Sequence, residues 1–323
     1  MKWREHKSRR LFGRYAWSVL LYNLPVVLWG AYVRVSFSGD GCGANWPTCN
    51  GQFLPQKMTT PMAIEFTHRL MTGLDTAAVA ILLLWAFLAF PKRHAVRRFA
   101  IFSFVFLFIE ALLGAGLVLF RLVAKDQSAG RVWYLSAHLT NTMLLLAALA
   151  ATAWLATRGI EHIRLRDMRP PILGALAVTI FVSITGAITA LGDTLFPASS
   201  LAAGMQQDFA KVSSVLLRLR IIHPLLAGAG AVYILWVTAG LLRRSDKSES
   251  MVRACRAVII VIVVQLAAGM MNLALLAPLP MQLTHLLIAD LVWISLVWLA
   301  LESLLQQKIA DPALAERGRI AVC

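Results

Sequence analysis

Glu65 and His68 stand three residues apart at the head of a long apolar run, residues 66–90. On a helix that spacing puts both side chains on one face. A histidine at the mouth of an apolar helix has the chemistry of a metal or heme ligand, and an acid one turn away can move protons beside it. Three more histidines open comparable runs: His138, His223 and His285. Imidazoles at matched depth on different helices suit a planar tetrapyrrole held between helices, one ring on each side of the iron. The remaining histidines, His6, His94 and His162, fall in basic segments and do not join the set.

Eight apolar runs must position these residues. They are expected over 15–36, 66–90, 99–122, 132–156, 172–191, 221–242, 257–276 and 283–304. Each is long enough to cross a hydrocarbon layer of about 30 Å as a helix. In a chain of 323 residues, 59% hydrophobic with mean hydropathy +0.70, this predicts an all-α polytopic membrane protein. A membrane barrel would need short alternating strands instead. The net charge of +15 does not point to nucleic acid, because of where it lies. Of 31 Lys and Arg, 22 fall in the N-terminal segment, 91–98, 158–170, 243–256 and the C-terminal tail, all on one side. The positive-inside rule puts that side, with both termini, in the cytoplasm. The first apolar run is too long for a cleavable signal, so the expected location is a bacterial inner membrane, with the lipid bilayer as a partner.

The chain repeats about its midpoint. Gly30-Ala31 matches Gly186-Ala187, His68 and Gly73 match His223 and Gly228, and His138-Leu139 matches His285-Leu286. This predicts two tandem, parallel four-helix bundles, residues 1–160 and 161–323. The repeat breaks at one position. The residue three before His223 is Arg220, so only the first half has an acid beside its leading histidine.

Other residues carry open readings. Cys42 and Cys49 lie in the first outer loop, where a disulfide can form and persist, as a structural staple or a redox pair. Cys255 and Cys323 lie on the cytoplasmic side, with no evident chemistry. Glu110, inside the third run, is expected to hydrogen-bond a neighbour; a proton path is the other reading. Asp75 shares the face of His68, and neither its role nor that of Asp290 follows from the sequence. Arg34, Arg69, Arg131, Arg218 and Arg220 cluster at the outer mouths, where they can pair with heme propionates or snorkel at the interface.

Gly-Cys-Gly-Ala-Asn-Trp-Pro-Thr-Cys-Asn-Gly followed by Glu-Phe-Thr-His-Arg resembles the heme A synthase family. The resemblance extends to the eight runs, the four histidines and the outer cysteine pair, nearly the whole chain. It implies oxidation of the C8 methyl of heme O to a formyl group, giving heme A for terminal oxidases, by successive hydroxylations and loss of water from a gem-diol. Carried over, His68 and His138 hold the substrate heme, His223 and His285 ligate a resident heme b, and Glu65 is the catalytic acid. Heme O synthase is the implied upstream partner; the electron donor is not identified. Two axial histidines leave iron no free position. Either His68 or His138 lets go in turnover, or the methyl is oxidised without oxygen binding at that iron. The alternative is a di-heme b membrane electron carrier without heme-modifying chemistry, which leaves Glu65 without a task. A thiol oxidoreductase would explain the cysteines but not the histidines.

Overall fold

The computed structural model describes residues 2–210 and 215–310. Cys323 and most of the basic C-terminal tail lie outside the described residues. Among the described residues nine α-helices occur in chain order: α1 Lys2–Val35, α2 Thr60–Ala89, α3 Ala95–Leu119, α4 Ala129–Arg158, α5 Pro170–Leu195, α6 Leu201–Phe209, α7 Val215–Leu242, α8 Glu249–Ala274 and α9 Leu279–Ala310. All but the short α6 are long and apolar enough to cross a membrane, and among the described residues there is no strand beyond one isolated bridge. The protein is a multi-pass membrane protein.

Every spanning helix starts before the apolar run that announced it. Hydropathy reads the oily segment, whereas the helix end is set by whatever satisfies its first N–H groups. Thr59 accepts from the Met62 N–H, Ser128 from Arg131, and Ser248 from Met251, each several residues outside the oily stretch. His94 caps α3, its Nδ1 accepting from the Val96 N–H at 3.1 Å. It is thus a buried structural cap rather than a solvated basic-loop residue. Between α5 and α7 the chain forms the short α6, and Leu216 and Leu217 are buried on α7.

Helices α1, α2, α3 and α4 pack as a closed ring of neighbours, and so do α5, α7, α8 and α9. The rings meet where α4 touches α5 and α9 and where α1 touches α9. Two devices fix the geometry that matters. Tyr15, Tyr22 and Trp29, each seven residues apart on α1, donate to the Ala78, Met71 and Ile64 carbonyls of α2. Seven residues is two helical turns, so the donors form one antiparallel zipper, each bond contributing about 1 kcal/mol. It ends one residue from Gly30. Between the rings, buried Glu302 of α9 accepts from Trp154 Nε1 and Arg158 Nη2 of α4 and Ser250 Oγ of α8. Trp293 Nε1 adds a 2.6 Å bond to the Met143 carbonyl. α4 is the most enclosed span.

Candidate functional site

His68, His138, His223 and His285 occupy the ninth, tenth, ninth and seventh positions of α2, α4, α7 and α9. At 1.5 Å per residue they lie roughly 9–14 Å along their helices, in the second turn for His285 and in the third for the others. Each meets a glycine of the preceding spanning helix. A Cβ on Gly30 would stand 3.1 Å from His68 Cε1, on Gly186 2.9 Å from His223 Cε1, and on Gly269 3.0 Å from His285 Cε1. On Gly114 it would stand 3.8 Å from His138 Nε2. This close approach accounts for the Gly30 and Gly186 repeat. Gly73 and Gly228 face open space, so their match reflects no such contact.

The imidazoles act in pairs. His68 lies within electrostatic range of His138 and Glu110, and His285 within range of His223. Their ring nitrogens have different company. Thr185 Oγ1 donates to the Val182 carbonyl at 2.8 Å and lies 3.0 Å from His223 Nδ1, so it accepts the Nδ1 proton and leaves Nε2 its lone pair. Gln265 Nε2 stands 3.3 Å from His285 Nε2. Glu110 Oε1 stands 2.7 Å from His138 Nδ1. Its carboxylate also receives Asn141 Nδ2 at 2.5 Å and the Thr142 hydroxyl. Glu110 does bond its neighbours, as expected, but one of those neighbours is a candidate ligand. The sequence carried a signal for this, because Glu110–Gly114 and Gln265–Gly269 share one spacing in the two halves. Nδ1 of His68, His138 and His285 is buried without a hydrogen-bond partner among the described residues, and of the three only His138 has an ion-pair contact, to Glu110.

Outside the imidazoles the two ends of the molecule are clamped differently. Cys42 and Cys49 form a disulfide with Cα atoms 4.4 Å apart. Glu65, only 3% exposed, accepts from the Cys42 N–H at 2.8 Å and pairs with Arg69. Arg69 Nη1 in turn donates to the Asn45 and Thr48 carbonyls at 2.7 and 2.6 Å. Gly41 lies against the start of α2, where a Cβ would meet the Pro61 carbonyl carbon at 2.5 Å. The disulfide loop is thereby seated on the helix that carries His68. At the matching place in the second half, Arg220 Nε lies 2.8 Å from Asp193 and its Nη atoms reach Asp208 and the Gly192 carbonyl.

Of the five arginines expected at the mouths, Arg69, Arg131 and Arg220 are thus engaged by the protein. Arg131 Nη1 donates to the Ala124 and Asp126 carbonyls at 2.7 Å each. Arg34 keeps a buried Nη1 without a partner and lies within range of Asp193. Arg218 is exposed. Asp75 accepts from Asn23 Nδ2 of α1 at 2.9 Å, a helix-to-helix bond. Asp290 is buried with Oδ2 unpartnered, and Cys255 is a buried free thiol.

These residues fit a heme in each ring: paired imidazoles, glycines that let the histidine rings approach, and buried ring nitrogens and an Arg34 Nη1 without a hydrogen-bond partner among the described residues. A family model described as "COX15-CtaA: Cytochrome oxidase assembly protein" matches residues 13–297. A Thermus thermophilus protein named protoheme IX farnesyltransferase is 44% identical over 300 residues, 91% of this chain but 48% of that relative. The chain therefore spans about half the length of that curated relative. A heme A synthase of Exiguobacterium sp. is 28% identical over 271 residues, 82% of this chain and 83% of the relative. A heme A synthase of Geobacillus kaustophilus is 41% identical over 104 residues, 32% of this chain and 33% of the relative. With a family match from 13 to 297 laid over eight spans, four paired histidines and the outer disulfide, the chain belongs to the COX15-CtaA, or heme A synthase, family.

Proposed function

We propose that this protein is a heme A synthase that oxidises the C8 methyl of heme O to a formyl group. The observation that carries the reading is the asymmetry between two otherwise matched histidine pairs: a buried carboxylate, Glu65, precedes only the first. In this reading residues 1–160 form the substrate half and 161–323 the resident-heme half. His68 and His138 hold heme O as substrate, and His223 and His285 ligate a heme b whose iron supplies one-electron chemistry when bound. Arg34 offers its unpartnered Nη1 to a propionate.

The side chains at the first site have distinct tasks. Glu65 is placed to hold or move a proton one turn from His68. Arg69 and the Cys42 N–H hold both carboxylate oxygens, so the acid stays aimed rather than free to rotate. The disulfide keeps Cys42 where that bond requires it. Gly30 and the aromatic zipper of α1 bring the apolar wall against the imidazole and exclude water.

The Thermus relative supports a handover. A stretch similar to this chain makes up about half of a longer protein named for protoheme IX farnesyl transfer. Farnesylation of protoheme is the chemistry that supplies heme O, so heme O synthase is the natural upstream partner. The farnesyltransferase name does not describe this chain's own site, where the elements are ligand histidines and an acid. The location follows the charge distribution: a bacterial inner membrane, with both termini cytoplasmic.

The test is mass analysis of heme extracted from a bacterium that makes heme O but not heme A, expressing this chain with an intact respiratory donor system. Heme A, or its hydroxylated precursor, is the expected product. Unmodified heme O and heme B from folded, heme-loaded protein would favour the di-heme electron carrier. Farnesylated product in a host lacking heme O synthase would move the activity to farnesyl transfer.

A further inference from the structure

Two histidines that hold one iron leave no coordination position open, so one of them must be the weaker ligand if the site is ever to open. We infer that His68 is the ligand that lets go and that Glu110 makes His138 the ligand that stays. The inference rests on the reading of α1–α4 as a heme site.

The two imidazoles differ in what stands behind them. His138 Nδ1 lies 2.7 Å from Glu110 Oε1, the spacing of a charge-assisted pair. The carboxylate is itself fixed. Asn141 Nδ2 reaches Oε2 at 2.5 Å and also donates to the Phe106 carbonyl at 2.8 Å, while Thr142 holds Oε1. Such a carboxylate behind an imidazole fixes the ring, sets the proton on Nδ1 and makes Nε2 a more basic ligand. His138 Nε2 is then directed toward the Gly114 side, where the glycine leaves room. His68 has none of this. Its Nδ1 is buried with neither an ion-pair nor a hydrogen-bond partner among the described residues, whereas His138 Nδ1, which also lacks a well-angled hydrogen bond, has the Glu110 carboxylate at 2.7 Å.

The second half has no ligand backed by a carboxylate. At the position of Glu110 it has Gln265, a neutral amide 3.3 Å from His285 Nε2. His223 has a hydroxyl, Thr185, on Nδ1, and His285 Nδ1 has no hydrogen-bond partner among the described residues. A charge-assisted contrast between two ligands is therefore confined to the first half. In the first half, a position vacated by His68 opens on the helix face that carries Glu65, one turn away. The acid and the opening thus occur on the same side of the site.

The test uses full-length protein purified from heme-O-producing cells, in wild-type form and as His68→Ala, His138→Ala and Glu110→Gln variants. Four readouts are taken: heme per chain, the rate of heme transfer to excess apomyoglobin, carbon monoxide binding to the reduced protein, and midpoint potentials. The low-spin signal of the second-half heme reports folding in every variant. His68→Ala is expected to keep both hemes, with the first becoming high-spin and binding carbon monoxide. His138→Ala is expected to lose the first heme at least about 10-fold faster than His68→Ala. Glu110→Gln is expected to speed transfer from the first half by about 10- to 100-fold, the usual effect of removing such a partner. It should also raise that heme's potential alone, because a less basic ligand favours the ferrous form. Equal losses in the two histidine variants, the reverse order, or a silent Glu110→Gln would overturn the assignment of His68. Wild-type protein that takes up heme only in the second half would overturn the heme reading of the first half, and this inference with it.

Discussion

Three residues before its leading histidine, the first half places Glu65; the second places Arg220. Both are largely shielded from solvent and both seat an inter-helix segment on a spanning helix, yet with opposite charge. Glu65 gathers Arg69 and the Cys42 N–H around a carboxylate. Arg220 gathers Asp193, Asp208 and the Gly192 carbonyl around a guanidinium. The same contrast recurs behind the second histidine of each half, where Glu110 faces His138 and Gln265 faces His285. A duplicated frame therefore keeps its ligand geometry while the groups around it diverge. In the first half a carboxylate stands beside each histidine; at the matching places the second half has a guanidinium and a neutral amide.

The comparison breaks most directly at Glu65. Glu65→Ala is expected to cut heme A formation by about 100-fold or more, the scale of a lost general acid or base, while both hemes remain bound. Chromatography of extracted heme measures the product and absorbance the loading. Full activity would remove Glu65 from the mechanism and reduce the two clamps to equivalents.

Arg220→Ala is expected to act on stability instead. It strands Asp193 and the buried Asp208, and losing one partner of a buried ion network costs about 3–5 kcal/mol. Denaturation followed in detergent should show the loss, with Glu65-dependent product per folded molecule little changed. A large fall in turnover at unchanged stability would place Arg220 in the chemistry.

A smaller effect tests the glycines. In Gly186→Ala the new Cβ would stand 2.9 Å from His223 Cε1, so the imidazole must shift, at a cost of about 1–3 kcal/mol. Heme retention in the second half should fall. Gly228→Ala on the same helix as His223 meets open space and is expected to be neutral or to stabilise by up to about 1 kcal/mol. Equal effects of the two would show that the glycine–histidine contact does not matter.

The smallest effect lies at the end of the bundle away from the disulfide, at the caps of the two equivalent helices α3 and α8. Burial, helped by Arg9 and His162, pushes His94 down to about 4. Its neutral Nδ1 caps α3, whereas the non-titrating hydroxyl of Ser248 caps α8. The contribution of His94 is present above its unfolded value of 6.5 and is lost as pH falls toward 4, because an imidazolium cannot accept the Val96 N–H. Wild type should lose about 1 kcal/mol across that window, the usual value of a cap, and His94→Ser should not. Identical acid profiles would remove the cap as the cause.

The sequence made the spans legible because crossing a hydrocarbon layer demands about 20 apolar residues, a requirement that side-chain chemistry alone declares. It missed the helix starts because caps such as Thr59 and Ser128 are set by local hydrogen bonds rather than by hydropathy. The four histidines and Glu65 were visible as residue types at telling positions. The partners behind the rings were not, because Glu110 and His138 are 28 positions apart in the sequence, and only the packing of α3 on α4 brings them to 2.7 Å.

What the sequence determined by itself was the membrane spans, and it singled out a repeated pattern and four histidines as candidate ligands, all carried by composition, periodicity and spacing. Only the tertiary structure decided how each imidazole is backed, which arginine keeps an unmatched donor, and that Glu65 and Arg220 are clamps of opposite sign. Those properties depend on distances between helices, and a distance of that kind is set when the helices pack.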